Sequence, residues 1–493
     1  MRAESDSIYP DPGFWTKTSI IQLCYGILVN LTMVTIGLAF GFSAVLLPQL
    51  SVTEPKIPTS IAEESWIVSV LALATPFGCL VSGYLMDHFG RRKMLILCEL
   101  PIAVGWILTG FAGTARDIII GRIIVGLGCG MAMSTPRAYL TEISLPNMRG
   151  VIGSFPNIAM SLGITVQAGL SSVLRWRDLS FINGVYSIIL FFISFVFPET
   201  PYFVLMKDTP EKAKEILKKF RSAKYNIDAE MEQLIDYKAD NNIRRLSFWS
   251  QVKFLFRSSA CKPFWIVTIY IIFAQLSGVT IILMWTEEIL EESKSSVNAH
   301  TGNILLGVTR LCAGILTSIL ILKVKRRHLA LISSLGVSAV CILLGTFNLY
   351  AKEPSILPQL CYVAFITFAC LGYYVLPILI IFELSPLQIR GLLGSITISI
   401  SNITIFSVNQ CFRYVENAIG LANTILAFGA SSFLGSIYIY FFLPETNDLT
   451  LQEIEEFYNE RRSTLTSQRR IVSMQALSKA SNSLASRSLM KVT

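Results

Sequence analysis

Long apolar runs without a charged residue constrain this chain more than any other feature. Nine such runs fall within Thr18–Thr53, Ser65–Met86, Gly150–Leu174, Leu179–Pro198, Pro263–Thr286, His328–Ala351, Pro354–Phe382, Gly391–Phe412 and Asn417–Pro444. A helix needs roughly 20 apolar residues to cross the hydrocarbon core of a bilayer. Three further apolar stretches carry internal charge: Met94–Ala115 with Glu99, Ile118–Leu140 with Arg122 and Arg137, and Asn303–Leu322 with Arg310. Lipid offers no hydrogen bonds to an open backbone, so each run is read as a helix. The chain is therefore expected to be an all-α membrane protein with twelve transmembrane helices. Only 15% of its residues are charged, against about 25% in a soluble domain.

Twelve spans put both termini on one side, and the basic residues say which. Of the 41 Lys and Arg, the loops opposite the termini hold only Lys56, Arg116, Arg175, Arg177, Lys294, Lys352 and Arg413. Loops rich in Lys and Arg stay in the cytoplasm, so both termini are expected there, in a multi-pass plasma-membrane protein. The net charge of +8 follows from this bias and gives no reason to expect a nucleic-acid partner. Residues 1–17 lack the apolar core of a cleavable signal peptide. The ten cysteines lie in or at the ends of spans, without metal-ligand spacing or a disulfide framework. His88, His300 and His328 are scattered, so no metal and no cofactor is expected. The glycosylation sequons at Asn30 and Asn402 fall inside spans.

The chain repeats itself. Glu142 and Arg149 recur 241 residues later as Glu383 and Arg390. The Pro198-Glu199-Thr200 turn recurs as Pro444-Glu445-Thr446, and Arg91-Arg92 recurs as Arg326-Arg327. Parallel repeats of six helices imply two bundles related by an axis along the membrane normal, with the substrate between them at mid-bilayer. The expected organisation is a cytoplasmic N-terminus (1–17), a six-helix bundle (18–201), a cytoplasmic helical linker (202–262), a second bundle (263–446) and a disordered cytoplasmic tail (447–493). In the linker, Asp208-Thr209-Pro210 before Glu211–Phe220 reads as a capped amphipathic helix. Asp228–Asp240 reads as a second.

These signals resemble the sugar porter family of the major facilitator superfamily. The likeness rests on Gly83, Asp87, Gly90, Arg91 and Arg92 after helix two, and on Pro136, Tyr139, Glu142, Arg149 and Gly150 around the end of helix four. It rests also on Pro198-Glu199-Thr200-Pro201, on Gln275-Leu276-Ser277-Gly278 in helix seven, and on Pro444 to Leu451. Gly41, Ser43, Pro48 and Arg310 are similar to the insect branch of facilitated trehalose transporters. The resemblance implies the major facilitator fold, a monomer, and passive sugar transport.

The resemblance further implies that Asp87, Arg91, Arg92, Glu142, Arg149 and Glu199 form a salt-bridge network between helix ends. Arg326, Arg327, Glu383, Arg390 and Glu445 would be its counterpart. Such networks would latch the cytoplasmic ends while the site opens outward. Exposed ion pairs contribute only about 0–1 kcal/mol each, which suits a gate between states of similar free energy. Leu322 and Lys325 depart from the family pattern around the second Arg pair, so the latch is expected to be weaker in the second half.

A sugar site needs amides, hydroxyls and an aromatic face. By resemblance, Gln275 is the leading ligand, and Asn157 and Thr280 occupy positions of family ligands. Gln167 lies ten residues after Asn157, one or two turns from the ligand's level. Pro377 keeps the last proline of a helix-ten run that starts at Gly372. Arg310 is expected to face the cavity, because a mid-span arginine costs several kcal/mol unless it meets a partner or water. Ala274, Ile378 and Ser401-Asn402 replace polar or aromatic family residues, and Tyr373, Tyr374 or Trp285 is expected to supply the aromatic face. Ser43 stands where proton-coupled members carry a carboxylate, and Glu99 is expected near the cytoplasmic end, so transport is expected to be uncoupled. Two other readings fit the residues. One is a sensor that binds sugar without moving it; the other is a transporter of another small solute, such as an anion drawn by Arg310. Nothing in the sequence assembles a nucleophile with a base, which argues against an enzyme.

Overall fold

The computed structural model describes residues 16–52, 57–145, 148–222, 226–232, 234–235, 253, 255, 258–293, 295–351, 353–384 and 390–445. The first half comprises α1 (Lys17–Val52), α2 (Ile61–Phe89), α3 (Arg91–Gly110), α4 (Ala115–Ile143), α5 (Arg149–Leu170) and α6 (Trp176–Ser194). Two short helices follow, α7 (Pro201–Lys207) and α8 (Pro210–Phe220). The second half begins with α9 (Ser258–Leu276), α10 (Val279–Met284) and α11 (Thr286–Glu292), three pieces of one interrupted element. It continues through α12 (Ala299–Lys323), α13 (Arg326–Tyr350), α14 (Leu357–Leu371), α15 (Leu376–Leu384), α16 (Arg390–Ile419) and α17 (Leu421–Phe442).

Among the described residues, ten helical stretches are long and apolar enough to cross a membrane. The two expected spans outside that set are the fifth and the seventh, and both depart for a physical reason. Helix α5 carries Asn157, Ser161 and Thr165 four residues apart, a polar stripe turned toward the other half. The seventh is cut short where α9 ends at Leu276. Gly278 there has φ of +78°, a left-handed conformation that costs other residues roughly 1–2 kcal/mol.

Within the first half α2 and α3 pack on α4, α1 packs on α5, and α3 packs on α6. The Gly126, Gly128 and Gly130 run of α4 makes this possible. A Cβ at Gly130 would stand 2.1 Å from the carbonyl oxygen of Thr75, so only glycine admits α2 at that distance. In the second half α13 packs on α17 and α14, and α9 packs on α16 and α17. The halves meet where α2 lies along α16, α5 along α12, and α1 along α10 and α11. The second and fifth spans correspond to the eighth and eleventh, so the first two contacts exchange under the repeat.

The linker folds under the first half. Ala213, Leu217 and Phe220 of α8 are buried, and the Phe220 ring lies 5.0 Å from that of Tyr25. Arg221 donates to the carbonyl oxygen of Ile143 at 2.8 Å and grips both carboxylate oxygens of Glu230 at 2.8 and 2.6 Å. Residues 227–232 are helical, in line with the start of the second expected linker helix; residues 236–250 and the tail from 446 lie outside the described residues.

Glu99 needs a correction. It is not near the cytoplasmic surface but fully buried in the first bundle, more than two turns into α3 and beside Thr32 of α1.

Candidate transport site

The interruption of the seventh element gathers polar groups. Thr280 Oγ1 donates to Gln275 Oε1 at 3.0 Å across the break, and Ser277 Oγ donates to the carbonyl oxygen of Ala274 at 2.7 Å. The first helix stops at Leu276 and the next starts at Val279, so Gln275 and Thr280 flank a two-residue break formed by Ser277 and Gly278. From the interruption between α14 and α15, the Tyr374 hydroxyl donates to the carbonyl oxygen of Val279 at 2.9 Å. Arg310 of α12 stacks its guanidinium 3.9 Å from the Tyr374 ring centre. Arg310 is only 5% exposed, its Nε and Nη1 have no hydrogen-bond partner, and no described carboxylate pairs with it.

The first half contributes the stripe on α5. Thr165 Oγ1 donates to the carbonyl oxygen of Gly307 at 2.7 Å, and Ser161 Oγ lies 3.6 Å from where a Cβ on Gly314 would stand. Arg310 is one turn from each of those glycines, so the stripe faces the same side of α12. Asn157 continues the stripe one turn further and is half-buried. The structure thus brings together Gln275, Thr280, Arg310 and Tyr374, with Asn157 on the helix opposite.

Other candidates point elsewhere. Gln167 accepts a hydrogen bond from Asn183 of α6 at 3.1 Å, inside the first half. Pro377 is buried near the start of α15. The Tyr373 hydroxyl shares a hydrogen bond with Ser432 at 2.9 Å, and its ring packs on Tyr270 in the second bundle's core. Trp285 is fully buried and donates its indole N–H to Asn409 at 3.2 Å. Of the three aromatics named from the sequence, Tyr374 is the one at the break.

Arg122 answers the question raised by Ser43. It is 1% exposed and donates from Nη2 to Ser43 Oγ at 2.5 Å. A hydroxyl, not a carboxylate, therefore meets the buried guanidinium.

At the helix ends that carry them, the repeated motifs make matching contacts. Glu199 accepts from the backbone N–H groups of Arg91 at 3.0 Å and Arg92 at 3.2 Å. Glu445 does the same for Arg326 at 3.1 Å and Arg327 at 3.3 Å. Each carboxylate thus sits at a helix N-terminus, where unsatisfied N–H groups and the helix dipole favour an anion. Arg92 and Arg327 reach back to the carbonyl oxygens of Phe195 and Tyr440. Arg91 also pairs with Glu142 at 2.8 Å, and Glu142 accepts from the Thr200 hydroxyl at 2.5 Å. These contacts tie neighbouring helices inside one half. The side chains of Asp87, Arg149, Glu383 and Arg390 lie outside the described residues.

At the opposite end polar groups cross between the halves. Ser69 donates to Gln410 at 2.7 Å, His300 contacts Ser172 at 2.9 Å, and Arg413 of α16 lies 3.6 Å from Glu64 of α2. Sequence reasoning counted Arg413 only as a loop cation. The signal was present in Glu64, Glu288, Glu292 and Glu416, which the topology places on the same side of the membrane.

A family model described as sugar (and other) transporter matches residues 26–458. Facilitated trehalose transporter Tret1 of Polypedilum vanderplanki is 26% identical over 88% of this chain and 87% of its own length. The Tret1 of Drosophila mojavensis is also 26% identical over 88% of this chain, but the match spans about half, 51%, of that longer protein. Among solved structures, the xylose transporter XylE of E. coli in a partially occluded inward-open conformation aligns with a TM-score of 0.74 at 18% identity, over 88% of this chain and all of that one. The same transporter bound to 6-bromo-6-deoxy-D-glucose aligns with a TM-score of 0.70. The chain has the major facilitator fold and belongs to the sugar (and other) transporter family.

Proposed function

We propose that this chain carries a sugar, trehalose or a hexose, passively across the plasma membrane by alternating access, with both termini in the cytoplasm. One observation carries the reading: Gln275 and Thr280 bond to each other across a left-handed break in the seventh element. That pair offers an amide and a hydroxyl on either side of the break, the chemistry that exchanges readily with sugar hydroxyls. Arg310, Tyr374 and Asn157 complete the pocket, with the Tyr374 ring as its apolar wall. The relatives named as facilitated trehalose transporters support the substrate class.

Uncoupled transport is supported by the Ser43–Arg122 contact. A serine does not titrate near neutral pH, so this position cannot load and release a proton with each cycle. The Glu199 and Glu445 contacts are read as rigid hinges of the cytoplasmic gate, because they lock helix pairs within each half and let the halves move as bodies.

The test is uptake of labelled trehalose and glucose into vesicles holding the purified protein, with Gln275→Ala beside it. Saturable uptake that ignores a collapsed proton gradient is expected. The variant should lose about tenfold in apparent affinity, the equivalent of roughly 1.4 kcal/mol. Absence of flux for both sugars, or flux that follows an imposed proton gradient, would overturn the reading.

A further inference from the structure

Arg310 is a mid-span cation, and the elements around it offer no acid to meet it. It stands eleven residues from Ala299 and thirteen from Lys323, the two ends of α12. Roughly 16 Å of helix therefore separates it from the nearer loop. Arg310 is 5% exposed, and its guanidinium Nε and Nη1 are buried without a hydrogen-bond partner. The elements packed most closely on α12 are α5, α14 and α11. Neither α5 nor α14 contains an Asp or Glu. On α11, Glu287 is held by His300 and Asn303, about two turns or more from Arg310 toward the start of α12. Of the carboxyl groups outside the described residues, Glu383 falls nine residues beyond Tyr374, about two turns into α15. The others belong to loops, the linker, the tails and the end of α2.

Tyr374 does not neutralise this charge. Its ring centre lies 3.9 Å from the guanidinium carbon, and its hydroxyl is donated to the Val279 carbonyl. A ring face attracts a cation but accepts no in-plane N–H bond. The stack fixes the plane of the guanidinium and leaves donors at its edge. A mid-span arginine stands against a partner or a water-filled cavity. Across α12 from the first half, the polar stripe of α5 supplies hydroxyls and the Asn157 amide, and these groups carry no charge.

We propose that the counter-charge of Arg310 arrives with the substrate: the site takes a sugar acid, a hexuronate, more tightly than the neutral hexose. This rests on the sugar-transport reading above and narrows its substrate class. The sugar's carboxylate accepts N–H groups of the guanidinium in the planar, two-pronged geometry that arginine offers. Gln275, Thr280 and Asn157 take the ring hydroxyls, and Tyr374 holds the guanidinium plane. A single unanswered cation matches a single carboxylate. The buried charge that costs the empty site stability is thereby turned into selectivity, because a neutral sugar leaves the guanidinium donors unpaired.

The test is equilibrium binding to the purified full chain, read by intrinsic fluorescence at fixed ionic strength and about pH 7, where carboxyl groups are ionised. Glucose, glucuronate and glucuronamide are compared, the last carrying a neutral amide in place of the carboxylate. Glucuronate should bind at least about tenfold more tightly than glucuronamide, the effect of one hydrogen-bonded charge. Arg310→Gln should bring the two ligands within about twofold of each other, and Arg310→Lys, which keeps the charge without the fork, should retain part of the preference. The thermal midpoint without ligand gives a second reading that needs no binding by the variant. Neutralising one member of a buried ion pair destabilises a protein strongly, whereas removing an unanswered buried charge does not. The midpoint of Arg310→Gln should therefore hold or rise. Equal binding of glucuronate and glucuronamide by the wild type overturns the proposal, as does an Arg310→Gln midpoint that falls as for a broken buried pair. Glucose binding with no preference for glucuronate refutes this inference alone, and failure of all three ligands to bind sinks the sugar-transport reading with it.

Discussion

Gly278→Ala is the sharpest single test of how the seventh element makes its site. The native φ of +78° at Gly278 costs an alanine roughly 1–2 kcal/mol. The added Cβ would also stand 2.4 Å from Cδ2 of Phe428 on α17. Phe428 packs against the main hydrophobic core, so its ring has little room to retreat, and overpacking of this kind costs about 1–3 kcal/mol. The two effects together predict a loss of about 2–5 kcal/mol. The chain can relieve part of that strain by straightening the break, and doing so separates Gln275 from Thr280 and withdraws the Val279 carbonyl from Tyr374. Each neutral hydrogen bond contributes about 0.5–1.5 kcal/mol, so mispositioning two of them should weaken sugar binding by roughly 1–3 kcal/mol. Thermal denaturation of the purified protein by intrinsic fluorescence reads the first effect, and the KM for uptake reads the second. Both should move together, the midpoint down and KM up by about five- to a hundredfold. An alanine variant with an unchanged midpoint and unchanged KM would refute the claim that the left-handed break organises the site.

Two further outcomes follow from contacts at other levels of the structure. Tyr374→Phe removes only the hydroxyl that braces Val279 and keeps the ring under Arg310. KM should therefore rise by about three- to tenfold, the effect of one neutral hydrogen bond, while the rate at saturating sugar changes little. Glu199→Gln keeps the shape but removes the anion that receives the α3 N-terminus. Charge-assisted bonds of this kind contribute about 1.5–3 kcal/mol, so the thermal midpoint should fall, and more so than in a control variant at the exposed pair Lys212–Asp208.

The amino-acid sequence by itself determined the solvent, the number of expected spans and the repeat of motifs between the halves, and it supplied the expected sidedness. Those follow from where charge is absent and where Lys and Arg collect, and such terms depend on composition along the chain alone. The repeated motifs were equally legible, since Glu199 and Glu445 act on helix ends a fixed distance from Arg-Arg pairs. What only tertiary structure decided is the direction each polar side chain takes. Gln167 and Asn157 lie on one helix, yet Gln167 turns to Asn183 while Asn157 continues the stripe that meets α12. Glu99 looked like a residue near the membrane surface and lies buried beside Thr32; the Arg413 guanidinium covers the ring of Trp285. The physical reason is that lipid is as apolar as the inside of a helix bundle. A helix in water shows its buried face as an apolar stripe, but a spanning helix is apolar all round, so its inward face is set by packing and becomes visible only when the neighbouring helices are in place.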